Sequence, residues 1–254
     1  MSFHTARAER PREAILLVAG TGSRLRPLTD DRPKCLLQVG EQAMLRRLLK
    51  QLEEVGIERV VLATGYLQDR LLDEVGSWEL SMEIDAVFND TFDSENNAVS
   101  LGSAMTGLNG ERFLLCDGDI LLRNADALER LLDFPEDNVL TMMRFEAMGQ
   151  EEMKMVLASE DGRIERLGKG LSLDVAHGES LGIQKIGPSA FRALADRLAC
   201  LDEEERRRLY YEDVFSELIE EGVHFYACEL PPEGWTEIDT VEDLEMARQM
   251  VLGW

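Results

Sequence analysis

Ala14-Ile-Leu-Leu-Val-Ala-Gly-Thr-Gly-Ser-Arg-Leu-Arg-Pro-Leu-Thr-Asp-Asp-Arg-Pro-Lys-Cys-Leu-Leu37 is the stretch whose reading organises the rest of the chain. Its first five residues, Ala14 to Val18, form an apolar run short enough for a buried strand. The run stops at Ala19-Gly20-Thr21-Gly22-Ser23, a loop poor in side chains. Two glycines let backbone N–H groups converge on an anion at close range and tolerate the positive φ such loops often need. Arg24 follows within one turn and Lys34 ten residues later. A planar guanidinium fork and a compact ammonium both suit a polyphosphate. The stretch reads as a triphosphate cradle.

Two commoner glycine-loop motifs do not fit. A dinucleotide fingerprint needs G-x-G-x-x-G opening a helix, with an acidic residue about 20 positions on. Here the third glycine position is Leu25, Pro27 follows, and the next strand ends at Ala63-Thr64-Gly65. A P-loop needs a glycine followed by Lys and then Ser or Thr, which the stretch lacks. What remains is G-x-G-S-R-L-x-P-L-T-(x)3-P-K-x-L. This resembles the signature of the nucleotidyltransferases that make nucleoside-diphosphate-activated sugars and alcohols. A plain β–α loop with an ion-paired Arg and Lys is the bland alternative.

At 254 residues the chain can bury one large α/β core, and 44% hydrophobic with 30% charged residues is the composition of a soluble globular protein. No apolar run reaches membrane-span length. Met1 to Arg12 is polar and basic without an apolar segment, so it reads as a disordered leader rather than a secretory signal. A cytoplasmic protein is expected. The net charge of −23 makes nucleic acid and anionic membrane surfaces poor partners. Lysines are few: Lys34, Lys50, Lys154, Lys169 and Lys185. The cysteines, Cys35, Cys116, Cys200 and Cys228, form no C-x-x-C pair and read as buried reduced thiols. His4, His177 and His224 lack ligand spacing.

Apolar spacing predicts a helix over Gln42–Val55 ended by Gly56, a strand over Arg59–Ala63, a helix over Leu67–Val75 and a strand over Met82–Phe88. This β-α-β-α-β order predicts a mostly parallel, Rossmann-like mixed sheet with helices on both faces. The polar segment 89–97 then leads into a helix from Ala98 to Thr106. Ligands of such sheets bind at the carboxyl ends of strands. Asn96, Asn97 and Ser100 can therefore read a base or ribose, or Asn96 or Asn97 can cap the helix. N-(x)n-N-N-x-x-S-L resembles the corresponding segment of the phosphocholine cytidylyltransferase branch. Strand Arg112–Cys116 runs into Asp117-Gly118-Asp119, where an acid at the carboxyl edge suits Mg²⁺. The family resemblance makes Asp119 the metal ligand, with Asp117 beside the nucleotide or capping a helix near Asn124.

From Asn138 short strands over 139–143, 154–158, 164–167 and 181–186 alternate with turns such as 160–163. They resemble the small antiparallel substrate-side part of the family fold. One domain over 13–254 follows, with a nucleotide-binding half (13–135) and an acceptor-binding half (136–254). Lys154 is a candidate acceptor contact. Lys169 falls near the family's E-K-P lysine but lies in Gly168-Lys169-Gly170, so its role stays open. Helices are expected over Pro188–Cys200 and Asp202–Glu221. Within the second, Tyr210-Tyr211-Glu212-Asp213 resembles the Y-(x)-E-D-V segment of the cytidylyltransferase branch. Aromatics and acids together can hold a quaternary ammonium, or Tyr can simply pack inward. Trp235 joins these acceptor candidates. In extended Gly234–Thr240, Glu237 and Asp239 point to one side. W-x-E-I-D-T-x-E-D-L matches the family's second metal site, though Asp239 or Thr240 can also cap the helix over 241–251.

The resemblance runs from about Ala14 to Arg248. It implies a phosphocholine cytidylyltransferase-like enzyme, a group that includes phosphonate cytidylyltransferases. The implied reaction is CTP plus a small phosphate or phosphonate, such as phosphocholine or 2-aminoethylphosphonate, giving a CMP-linked product and pyrophosphate. Mg²⁺ would lie on Asp119, Glu237 and Asp239. The nucleotide would lie on Ala19, Gly20, Thr21, Gly22, Ser23 and Arg24, with Lys34 bridging toward the α-phosphate. The alternatives are a sugar-1-phosphate nucleotidyltransferase using UTP, GTP or dTTP, and a non-catalytic nucleotide-sensing module. The oligomeric state stays open, a homodimer included.

Overall fold

In the computed structural model, which describes residues 9–144, 153–158 and 161–254, the N-terminal apolar run is strand β1 (Glu13–Leu17). There follow β2 (Gln38–Val39), β3 (Gln42–Ala43), α1 (Met44–Glu54), β4 (Arg59–Thr64), α2 (Gln68–Gly76), β5 (Glu83–Phe88), α3 (Asn97–Met105), β6 (Phe113–Asp117), β7 (Ile120–Leu122) and α4 (Asp126–Leu132). The second half adds β8 (Val139–Met143), β9 (Lys154–Leu157), β10 (Ile164–Gly168), β11 (Gly178–Ile186), α5 (Pro188–Ala199), α6 (Glu203–Arg208), α7 (Tyr211–Glu220), β12 (Tyr226–Glu229), β13 (Trp235–Glu237) and α8 (Val241–Val251).

One mixed, nine-stranded sheet runs β10-β9-β11-β6-β1-β4-β5, with β8 on β11 and β12 on β8. The β6-β1-β4-β5 part is parallel. β11 then joins β6 antiparallel. The antiparallel strands therefore continue the nucleotide-side sheet, and the sheet crosses the 135/136 boundary unbroken. Successive β1 side chains alternate between two cores. Ala14 and Leu16 pack with Leu45, Leu48, Leu49 and Leu52 of α1 and with Leu128 of α4. Ile15 packs on the other face with α3, α5 and α7. Each fully buried leucine contributes about 1.5–3 kcal/mol relative to exposure. α1 starts at Met44 rather than Gln42, because Gln42–Ala43 pairs with Gln38–Val39. It ends before Gly56, whose φ of 89° lies in the left-handed region.

Two expectations need correction. The leader reading covers residues 1–8, which lie outside the described residues, and 9–12, which are tied down. Arg10 pairs with Glu129 (2.9 Å) and Asp133, and the Arg12 carbonyl accepts from Glu58 N and Arg59 N. The helix expected over 202–221 is two helices broken at Leu209–Tyr210. Asn96 takes the last carbonyls of α6, through its N to Arg206 O (2.8 Å) and its Nδ2 to Arg208 O (3.2 Å). Asp213 starts α7 afresh by accepting from Tyr210 N at 2.8 Å. The turn expected at 160–163 falls partly outside the described residues. Among those described, no helix is long and apolar enough to cross a membrane.

Candidate active site

Parallel register aligns Leu17 with Ala63 on one side and with Asp117 on the other, so β1, β4 and β6 end together. At that carboxyl edge lies a cavity of about 840 Å³ lined by residues 17–24, Lys34, the 92–100 segment, Asp117–Asp119 and side chains of the second half. Ala19, Gly20, Thr21, Gly22, Ser23 and Arg24 all line it. Gly22 alone of the two loop glycines is left-handed (φ 59°), and its carbonyl accepts from Thr29 Oγ1 at 2.8 Å. A Cβ on Gly20 would meet nothing within 4 Å, so this glycine leaves open space.

Across from the loop, Asp119, Glu237 and Asp239 bring one carboxylate oxygen each within 4.8 Å of one another. Three hard oxygen donors at this spacing suit Mg²⁺. Asp119 Oδ1 is buried without a hydrogen-bond partner, an orphaned acceptor of the sort a cation satisfies. Backbone contacts bring the two segments together: β13 pairs with β7, and Ile238 N donates to Asp119 O at 3.1 Å. Thr240, not Asp239, caps α8, and Asp243 completes that box. Asp239 keeps its carboxylate in the cavity.

Lys34 does not wait in open solvent for a phosphate. Its Nζ lies 2.8 Å from Asp119 Oδ2 and 2.6 Å from Asp239 Oδ1, and Arg24 Nη2 lies 2.8 Å from that same Asp239 oxygen. Burial alone would lower the Lys34 ammonium, but the Asp119 and Asp239 charges outweigh it and hold the group above its ordinary value. Burial would raise Asp239, yet Lys34 and Arg24 hold it below the usual carboxylate range. The Glu237 carboxyl is enclosed although the residue as a whole is exposed. Burial, then the Asp119 and Asp239 charges, push it up to about 8 against the pull of the Lys34 charge.

Asp117 is held differently. Tyr211 Oη donates to its Oδ2 at 2.8 Å, and a Cβ on Gly182 would collide with that oxygen. Burial, then the Asp119 and Glu212 charges, push Asp117 well above its ordinary value. Of the two readings open for Tyr211, acceptor contact or inward packing, the structure has the second: it is fully buried and braces Asp117.

The 89–100 segment both lines the cavity and caps α3. Asn96, Asn97 and Ser100 line the cavity. Asn96 also caps α3, Asn97 Oδ1 accepts from Tyr211 N at 2.9 Å, and Ser100 Oγ accepts from Asn89 Nδ2 at 2.9 Å. Glu95 grips Arg206 through two contacts of 2.6 and 2.8 Å. No local pattern announces that pair, because its partners are 111 residues apart.

At the far end Tyr210, Glu212, Trp235, Lys169 and Glu179 line the cavity. Lys169 Nζ stands 4.1 Å from the Tyr210 ring centroid. Burial raises the Glu212 carboxyl to about 7, although the Lys169 charge pulls it down. Besides Tyr211, two acceptor candidates fall outside the lining. Asp213 is engaged in starting α7, and Lys154 is buried with its Nζ donating to Lys169 O at 2.9 Å. Glu179 and Gly182 carried no sequence signal, sitting mid-strand in β11. In the sequence Lys169 is marked only by its place near the family's E-K-P lysine, with its role open.

A parallel sheet with a glycine loop, two cations and facing carboxylates at its carboxyl edge defines a nucleotide-handling α/β protein. Residues 14–212 match the MobA-like NTP transferase domain, and the chain belongs to that family. It is 35% identical over 134 residues to the CMP-5'-(3-aminopropyl)phosphonate synthase of Streptomyces rubellomurinus, covering 53% of this chain and 21% of that protein. It is 25% identical over 253 residues to the CTP:phosphoglutamine cytidylyltransferase of Campylobacter jejuni, covering 92% and 98%. The chain spans only about half the length of some other curated relatives it matches. The inositol-1-phosphate CTP transferase structure from T. maritima superposes with a TM-score of 0.75 at 24% identity, over 96% of each chain.

Proposed function

We propose that the chain transfers CMP from CTP to a small phosphate or phosphonate bearing a primary ammonium, releasing pyrophosphate. The carrying observation is the cavity's charge arrangement. Seven lining carboxylates face three cations, Arg24, Lys34 and Lys169. A triphosphate enters such a cavity only with added positive charge, which Mg²⁺ on Asp119, Glu237 and Asp239 would bring. When bound, that ion neutralises and orients the phosphates. Arg24 and the amides of residues 19–23 then bind the β- and γ-phosphates. Lys34 steadies the α-phosphate, where charge develops.

An acceptor phosphate or phosphonate is ionised near neutral pH, so no general base is needed. In this reading Lys169 takes that anion and Glu212 accepts from the ammonium. The Tyr210 face already carries the Lys169 ammonium, which disfavours a trimethylammonium group there. CTP is a cytoplasmic nucleotide, and a cytoplasmic site of action accompanies this reading.

The test is pyrophosphate release by purified protein with CTP, UTP, GTP or dTTP, each crossed with 2-aminoethylphosphonate, phosphocholine and glucose 1-phosphate. CTP with 2-aminoethylphosphonate is expected to be fastest. Fastest release from glucose 1-phosphate with UTP or dTTP overturns the proposal.

A further inference from the structure

Lys34 already does for two of the three facing carboxylates what a metal ion would do. Its ammonium lies 2.8 Å from Asp119 Oδ2 and 2.6 Å from Asp239 Oδ1, and its side chain is only 15% exposed. Arg24 adds a second positive group on the same Asp239 oxygen. A divalent cation on this trio would share those oxygens with Lys34, and like charges a few ångströms apart in a half-buried site oppose each other strongly.

We propose that Lys34 is the built-in counter-ion of the carboxylate trio, so that the site takes its divalent cation as a cation–triphosphate complex and rejects the free ion. This rests on the carboxylate reading above. A triphosphate changes the balance because it brings its own oxygens. Lys34 and Arg24 lie on the cavity wall next to the glycine loop. Each can therefore exchange a carboxylate for a phosphate without leaving the cavity. The released Asp119 and Asp239 oxygens then join Glu237 around the incoming ion.

Linkage makes the exchange quantitative: whatever factor the nucleotide adds to cation affinity, the cation adds to nucleotide affinity. Without Lys34, the carboxylates lose their internal cation. The free ion should then bind well without nucleotide, and the coupling factor should shrink.

The experiment uses Mn²⁺ as probe and reads free Mn²⁺ by electron paramagnetic resonance. The proteins are wild type, Lys34→Gln and Asp239→Asn, each with and without CTP, against a protein-free CTP blank. Thermal melts check folding. Lys34→Gln is expected to bind Mn²⁺ at least about tenfold tighter than wild type when CTP is absent. Wild type should gain its tight Mn²⁺ site only with CTP, and this arm needs no variant. Equal, tight binding to wild type and Lys34→Gln without CTP overturns the proposal while leaving the carboxylate site standing. If Asp239→Asn binds Mn²⁺ as wild type does with CTP present, the carboxylate reading itself fails, and the proposal with it.

Discussion

The phenol of Tyr211 donates to Asp117 Oδ2 at 2.8 Å, joining the first residue of α7 to the last residue of β6 across the cavity floor. Tyr211 is fully buried, and its N also donates to Asn97 Oδ1. One residue thus holds together the strand that ends at Asp117, the 89–97 segment and the helix that carries Glu212. Tyr211→Phe leaves a buried oxygen without its donor and should cost about 1–3 kcal/mol. Calorimetry is expected to find melting lowered by several degrees, and an unchanged melting temperature contradicts the bracing role.

The two loop glycines should respond differently. Gly22 is left-handed, and a Cβ there would meet Lys34 Cβ at 3.0 Å and Thr29 Cγ2 at 3.1 Å. Gly22→Ala should therefore lower stability by about 1 kcal/mol or more, from φ strain alone. Gly20 has open space around it, so Gly20→Ala should melt like wild type yet bind nucleotide more weakly. Equal melting temperatures for the two variants contradict this division.

Much of this site is legible in the sequence, and what was missed has a common physical origin. Strand endings, the glycine loop, Lys34 and the Glu237–Asp239 pair are local patterns with local causes, and the structure brings them to one sheet edge. Asp213 and Tyr211 stay ambiguous in the sequence because residue type does not tell which way a helix start turns its side chains. Asp213 serves the Tyr210 backbone and Tyr211 the Asp117 carboxyl. The Glu95–Arg206 pair and the Lys169–Tyr210 stack join distant segments, which no spacing rule reaches.

Glu237 provides a pH test. Crowding, Asp119 and Asp239 raise its carboxyl to about 8, so the folded chain keeps this proton to higher pH than the unfolded chain. Stability from this group is therefore lost as pH rises from the ordinary carboxylate range to about 8. Without divalent cations, Glu237→Gln should melt above wild type at pH 9 and near it at pH 5. Parallel melting curves across that range contradict the assignment.

Glu212 gives a second titration, read in kinetics. Burial raises its carboxyl to about 7, so it is largely neutral below that pH and ionised above it. An ammonium acceptor should bind better as Glu212 ionises, and its KM should fall between pH 6 and pH 8. In Glu212→Gln the KM should be higher and flat over that range. A KM that rises with pH in wild type removes Glu212 from the acceptor site.

The most direct measurement is ³¹P NMR of purified protein with CTP, Mg²⁺ and 2-aminoethylphosphonate. The account predicts a pair of coupled resonances from a new P–O–P linkage to CMP, free pyrophosphate in equal amount, and neither with Asp239→Asn. No coupled pair with CTP, alongside a sugar-nucleotide product from UTP or dTTP and glucose 1-phosphate, would contradict it.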